Sequence, residues 1–361
     1  MKNILTTFCF AFCIGLAASA QNKTENIFII TWDGFRWQEL FTGADANLIE
    51  DKEYVHHPEE LKKRFWSNNA EERRKKLLPF IWSDIAKMGQ IYGNRDKGSF
   101  VNLTNPYWFS YPGYSEILVG YVDKSIDSNN KFNNPNKTVL EILNETPKYK
   151  GKVAAFGSWD VFPYIINEER SGIPVNAGFE NAKGSDLTGM EKSLNTIQSQ
   201  LPKIWATVRY DAFTHHYAKE HLKKHHPNIV YISYGETDDF AHDGEYGAYL
   251  RSAWQTDQFL KDLWEFVQSD PHYKDKTTFV ITTDHGRGTV PKETWKHHGD
   301  KINGADETWL MVYGPDTKPK GEVSNSKPIK MDQIAATAAG FLKFDYKNTK
   351  PVGAPISDVL K

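Results

Sequence analysis

Five stretches of this chain are unbroken runs of apolar and β-branched residues, and each stops at a small or acidic residue. Asn26-Ile27-Phe28-Ile29-Ile30-Thr31 leads to Trp32-Asp33-Gly34, and Lys152-Val153-Ala154-Ala155-Phe156 to Gly157-Ser158. Asn228-Ile229-Val230-Tyr231-Ile232-Ser233 leads to Gly235-Glu236-Thr237-Asp238, Thr277-Thr278-Phe279-Val280-Ile281 to Asp284, and Thr308-Trp309-Leu310-Met311-Val312-Tyr313 to Gly314-Pro315. A strand wetted on one side alternates apolar with polar residues. These runs do not, so they suit strands covered on both faces. Helical patterns fall between them, over 78–89, 138–143, 190–203, 246–267 and 331–342. Strands alternating with helices predict an α/β fold: a central, largely parallel sheet flanked by helices on both faces.

Two segments break the alternation. Residues 42–77 are densely charged (ELKKRF, AEERRKK) and read as helical; residues 161–227 read as several short elements. Both are expected to be inserted cap segments on one core, so that 21–361 forms a single domain. With 361 residues, 39% of them hydrophobic, the chain can fill a core of that size.

The first twenty residues are set apart. Met1-Lys2-Asn3 precedes the apolar run ILTTFCFAFCIGLAASA, which ends in Ala18-Ser19-Ala20. This pattern predicts a signal peptide over 1–20, cut before Gln21. The run is short for a membrane span, so none is expected after cleavage. The expected location is the periplasm or the outside of the cell. Both cysteines, Cys9 and Cys13, lie in this segment. The mature chain thus has no thiolate, and any metal must be held by His, Asp and Glu. The net charge of −2 shows no basic excess, so no nucleic-acid surface is expected.

Acids and imidazoles gather where the apolar runs stop. They are Asp33 in TWDGFRW, Asp238 and His242 in ETDDFAHDG, Asp284 and His285 in TTDHGRG, and His298 in KHHGD. Ligands of α/β sheets sit beyond the carboxyl ends of strands. Three carboxylates and three imidazoles there are a suitable donor set for two divalent cations. Four-residue spacing on a helical turn puts Asp238 and His242 on one face. Asp239 and His297 are adjacent competitors, and any one of these acids alone would equally suit a helix cap. Gly286 and Gly288 are expected to let the backbone turn sharply. A second cluster, His215, His216, His221, His225 and His226, has helical metal-site spacing. It is rich in lysine and lacks the acid of an HExxH pair, so it reads as a solvated helix face.

Taken in order from Asp33 to His298, these motifs resemble the alkaline phosphatase superfamily, and within it the type I phosphodiesterase and nucleotide pyrophosphatase branch. The resemblance implies two metal ions, zinc in most members, and a Ser or Thr nucleophile between them. It implies Asp33, Asp284 and His285 on one ion and Asp238, His242 and His298 on the other. The nucleophile pattern fits Ser110-Tyr111-Pro112-Gly113, with SEILVG as the following helix; Ser110 is the expected nucleophile, and Thr104 and Ser115 are alternatives. A phosphate-binding asparagine is implied within DSNNKFNNPN, where Asn129 is preferred over Asn130, Asn133, Asn134 and Asn136.

Two departures bear on the substrate. Sulfatases of the superfamily carry Cys/Ser-x-Pro-x-Arg, and Tyr114 stands here where the arginine belongs. Some monoesterases carry a Lys-x-Arg pair where this chain has Ser158-Trp159-Asp160. An aromatic beside an acid suits a less charged diester, or an organic leaving group stacked on Trp159. The expected activity is hydrolysis of small phosphate esters, diesters or pyrophosphates, through a phosphoseryl intermediate. Monoester, sulfate or phosphonate ester hydrolysis, or an inactive binding protein on the same fold, are the alternatives.

Overall fold

Strand β1 (Asn26–Trp32) explains the unbroken apolar runs. Phe28, Ile30 and Trp32 enter a core on one face of the sheet, Ile27 and Ile29 a second core on the other, and all seven residues of the strand are buried. Full burial of each such side chain contributes about 1.5–3 kcal/mol, so the strand is held from both sides. The computed structural model describes residues 23–360; the expected signal peptide over 1–20 lies outside the described residues.

The other strands are β2 (Gln90–Tyr92), β3 (Val101–Asn102), β4 (Val153–Gly157), β5 (Val175–Ala177), β6 (Ile229–Tyr234), β7 (Thr277–Thr282), β8 (Glu307–Thr308), β9 (Leu310–Tyr313), β10 (Gly321–Glu322) and β11 (Ile329–Lys330). Eight of them form one sheet in the order β10-β2-β9-β7-β1-β6-β4-β5; β11, β3 and β8 make a small second sheet. β1 runs parallel to both β6 and β7, and β4 parallel to β6 and β5. β9 alone opposes its neighbours in the large sheet, pairing antiparallel with β7 and β2. The fold is therefore the expected α/β arrangement, a large and mostly parallel sheet between helical layers. Among the described residues, no helix is long and apolar enough to cross a membrane.

Segment 42–77 is helical, through Ala46–Ile49, Pro58–Phe65 and Ala70–Leu77. Segment 161–227 is more than a cap. It supplies edge strand β5 and the helix Asp211–His225, which packs on β4, β6 and the long helix Tyr246–Ser269. The histidine-rich stretch is accordingly not a solvated face. His215 is buried, stacked on Phe259, and its ring bonds Tyr234 Oη at 3.0 Å and Asp262 Oδ2 at 2.8 Å. Lys219, one turn on, reaches the same Asp262 carboxylate at 2.6 Å, so the lysines that suggested a wet surface line only the outer edge of the helix.

Candidate metal centre

Strand order assembles the site. Because β7, β1, β6 and β4 are neighbours, the residues that follow them stand in one row at the carboxyl edge: Asp284 and His285 after β7, Asp33 after β1, Asp238 after β6, Trp159 after β4. Asp238 and His242 lie on the short helix Glu236–His242, which starts one residue past β6. The four-residue spacing brings His242 Nε2 to 3.3 Å from Asp238 Oδ2. His298 arrives on a loop, with Nε2 at 2.9 Å from His242 Nε2 and 3.9 Å from Asp238 Oδ1. Of the competitors, His297 is exposed, whereas Asp239 lines the same cleft as Asp238.

His285 is the hub. Its Nε2 lies 3.4 Å from Asp33 Oδ1, 3.5 Å from Asp284 Oδ2 and 3.6 Å from Asp238 Oδ1. Two trios can each converge on one ion: Asp33, Asp284 and His285, and Asp238, His285 and His298; with His285 taken by the first, His242, close to both Asp238 and His298, completes the second. Each carboxylate has one oxygen fixed by a protein donor. Gly34 N donates to Asp284 Oδ1 at 3.1 Å, Tyr114 Oη to Asp33 Oδ2 at 2.7 Å, and the Arg287 guanidinium to Asp238 Oδ1. The remaining oxygens of two of them, Asp33 Oδ1 and Asp284 Oδ2, are buried with no hydrogen-bond donor. Orphaned buried acceptors are costly unless a cation satisfies them, so the donor set fits divalent metal.

The charges agree. Burial, then Asp238, raises the Asp33 carboxyl, and burial, then Asp33, raises Asp284 well above the usual range. Burial would depress His285, but Asp284 with Asp33 and Asp238 overrides it and raises the ring to about 9. Burial would raise Asp238 also; Arg287 and the neighbouring imidazoles hold it well below the ordinary carboxylate range. Acids crowded this closely in a desolvated site are a signature of a functional centre.

Ser110 is the first residue of the buried helix Ser110–Val119, and its Oγ stands 3.4 Å from His285 Nε2. Gly113 permits that approach: a Cβ there would lie 2.3 Å from the Asp284 carbonyl oxygen, so any larger residue would push the helix off the carboxyl edge of the sheet. Gly286 and Gly288, by contrast, are not at left-handed turns. Their missing Cβ atoms admit the Glu307 carbonyl and the Thr294 hydroxyl at 2.3 Å, so close packing rather than turning requires them. The alternative hydroxyls are committed elsewhere. Thr104 Oγ1 donates to Glu116, and Ser115 Oγ accepts from Asn134.

A cleft of about 200 Å³ opens over this edge, lined among others by Ser110, Asn129, Trp159, Thr207, Val208 and Asp239. Asn129 Oδ1 accepts from Tyr111 N at 2.9 Å, which ties it to the helix that Ser110 begins. Asn134 and Asn136 are instead buried, with their amides donating to Ile165 O and Asp123 Oδ2 away from the cleft. The wall beyond Trp159 is a strap, 201–210. It is pinned by Asp160 N to Thr207 O and Arg209 N to Ser158 O, both at 3.0 Å. Asp211, missed in the sequence, accepts from Gly235 N at 2.7 Å and from Ser158 Oγ at 2.6 Å, holding the start of the helix Glu236–His242 to the Trp159 loop. Burial pushes this carboxyl up to about 6.

The Sulfatase family model matches residues 97–344. Among solved structures, the alkaline phosphatase PafA has a TM-score of 0.62 at 11% identity, covering 95% of this chain and 100% of its own. The lipoteichoic acid synthase LtaP from Listeria monocytogenes has 0.56 at 13%, covering 94% and 77%; a 2-O GAG sulfatase has 0.56 at 11%, covering 92% and 73%. No curated protein sequence matches the chain. At these identities the structures speak for the fold, and the family model, which spans well over half the chain, for membership. The chain belongs to the Sulfatase family of the alkaline phosphatase superfamily, hydrolases of phosphate or sulfate esters.

Proposed function

We propose that this chain is an exported hydrolase of phosphodiesters that works through Ser110 and two divalent cations, zinc in the first instance. The observation that carries the reading is the composition of the cleft: among the described residues, no lysine or arginine side chain lines it. Arg287 lies behind Asp238 and is occupied there. A phosphate monoester is a dianion, and its second charge calls for cationic partners of the kind this cleft lacks. A diester carries one charge and a second organic group, for which Trp159, Thr207 and Val208 offer an aromatic and apolar wall.

The residues divide the work as follows. Ser110 Oγ attacks phosphorus, the bond to the leaving oxygen breaks, and a phosphoseryl ester forms that water then cleaves. The start of the helix Ser110–Val119 places positive backbone dipole at the phosphoryl oxygens. Asn129 has its oxygen fixed by Tyr111 N, so its Nδ2 is the end free to donate to a phosphoryl oxygen. Divalent cations on the two ligand trios would supply the Lewis-acid charge that activates the hydroxyl and steadies the leaving oxygen. The sulfate ester is the second reading. It also bears a single charge, and the family model bears its name. Tyr114 in the place of the sulfatase arginine speaks against it.

The test is turnover of bis-p-nitrophenyl phosphate, p-nitrophenyl phosphate and p-nitrophenyl sulfate by the zinc-loaded protein. A kcat/KM at least about tenfold higher for the diester than for either other ester supports the proposal, since one unpaired charge is worth 1.4 kcal/mol or more. Preference for the monoester or the sulfate overturns it.

A further inference from the structure

The three carboxylates of the centre are each held by a protein donor, but those donors differ in charge. Asp284 receives a backbone N–H from Gly34 and Asp33 a phenol from Tyr114, both neutral. Asp238 receives a guanidinium. Arg287 is 1% exposed and cannot turn away. Its Nη2 also donates to the Asp238 backbone oxygen at 3.1 Å, and its Nη1 to the Lys296 carbonyl at 2.6 Å. A cation entering between Asp33, Asp284 and His285 therefore meets two carboxylates and no fixed positive charge. A cation entering between Asp238, His242 and His298 meets one carboxylate whose charge Arg287 already offsets. In a buried site such differences are weakly screened. Exposure points the same way: Asp284 and His285 side chains are fully buried, whereas His242 is 42% exposed.

We infer that the two metal positions are unequal: the Asp33–Asp284–His285 position fills first and holds its ion, and Arg287 makes the Asp238–His242–His298 position weak and exchangeable. This rests on the donor set alone, whichever ester is hydrolysed.

The experiment titrates the metal-free protein with Zn²⁺ in competition with a chromophoric chelator and counts zinc after dialysis. Two steps are expected, separated by roughly tenfold to a hundredfold or more, the range in which residues behind metal ligands act. Dialysis against a mild chelator is expected to leave about one zinc per chain. Arg287→Gln is expected to tighten the weak step and narrow the gap at least about fivefold, while Arg287→Lys, which keeps the charge, preserves it. His242→Ala, altering a half-exposed ring, is expected to abolish the weak step and leave the tight one, and it decides the matter if the Gln variant does not fold. Two zinc ions bound with one affinity, a gap unchanged in Arg287→Gln, or loss of the tight step in His242→Ala would each overturn the inference.

Discussion

One phenol decides which oxygen of Asp33 faces the metal position. Tyr114 Oη donates to Asp33 Oδ2 and accepts from Ser233 Oγ at 3.1 Å, leaving Oδ1 turned toward His285. Tyr114→Phe keeps the ring and its edge contact with Phe162 but frees Asp33 to rotate. Zinc affinity at the tighter position is expected to fall roughly 10- to 100-fold, with an unchanged circular dichroism spectrum; the chelator titration reads it directly. Ser110→Ala makes the opposite separation. Its zinc content should match the wild type, while turnover falls at least about a hundredfold. Mass spectrometry of a quenched reaction should lose the phosphorylated enzyme, and its persistence would move the nucleophile to another hydroxyl. The cluster of candidate ligands was legible because acids and imidazoles at strand ends are conspicuous by residue type alone. Tyr114 and Arg287 were not, although both stand inside quoted motifs. Their roles depend on contacts 81 and 49 residues away in the chain, and nothing local marks them.

At the scale of elements, the long central strands were legible because burial on both faces leaves an unbroken apolar run. The short outer strands β2, β5 and β10, two or three residues each, carry no such pattern, and β5 was folded into an expected insertion. The reversed direction of β9 has no signature in composition either, since a buried strand looks alike from both ends. The helix Asp211–His225 misled for a different reason: several of its polar residues, Asp211, Thr214, His215 and Glu220, are buried with partners. His221 on this helix packs edge-on against Phe156 at 5.3 Å. Burial, helped by His225 and Lys224, depresses its pKa from 6.5 to about 4. The fold thus favours the neutral ring. Its contribution is complete above pH 6.5 and is lost as pH falls toward 4, because the unfolded chain binds the proton first. His221→Phe removes that titration. Between pH 7 and 4.5 the variant is expected to lose about 1–2 kcal/mol less stability than the wild type in urea denaturation. An equal loss in both would show that the ring is not held neutral. Across the cleft, Trp159 sits on the loop that the strap 201–210 pins. Trp159→Ala is expected to raise KM for bis-p-nitrophenyl phosphate about tenfold and to change methyl p-nitrophenyl phosphate little, as a wall for the larger ester group requires.

For the whole molecule, the consequence of this architecture is that the sheet's carboxyl edge is held together against its own charge. Asp33, Asp238 and Asp284 follow three adjacent central strands, and Asp33 and Asp284 each keep one buried oxygen without a donor. Hydrophobic burial on both sheet faces outweighs this repulsion, so the metal-free chain is expected to fold. The strain falls on segments from distant parts of the sequence: β1, the helix Ser110–Val119, the helix Glu236–His242 and the loop carrying His298. A cation bound there links all of them only in the native state, and binding that excludes the unfolded chain stabilises by mass action. With free zinc at 100 times the dissociation constant of the tighter position, the gain is about 2.7 kcal/mol. For a domain of this size that corresponds to a Tm roughly 3–8 °C higher than in chelator. Calorimetry of the chelated and zinc-loaded protein checks it, with Asp284→Asn as the control. That substitution removes one of the repelling charges and one metal ligand together. The metal-free variant is therefore expected to melt at or above the metal-free wild type, and to gain little from zinc. A metal-free Asp284→Asn protein that melts well below the wild type would mean that the carboxylate is held by the fold for its own packing, and that the edge was not built around a cation.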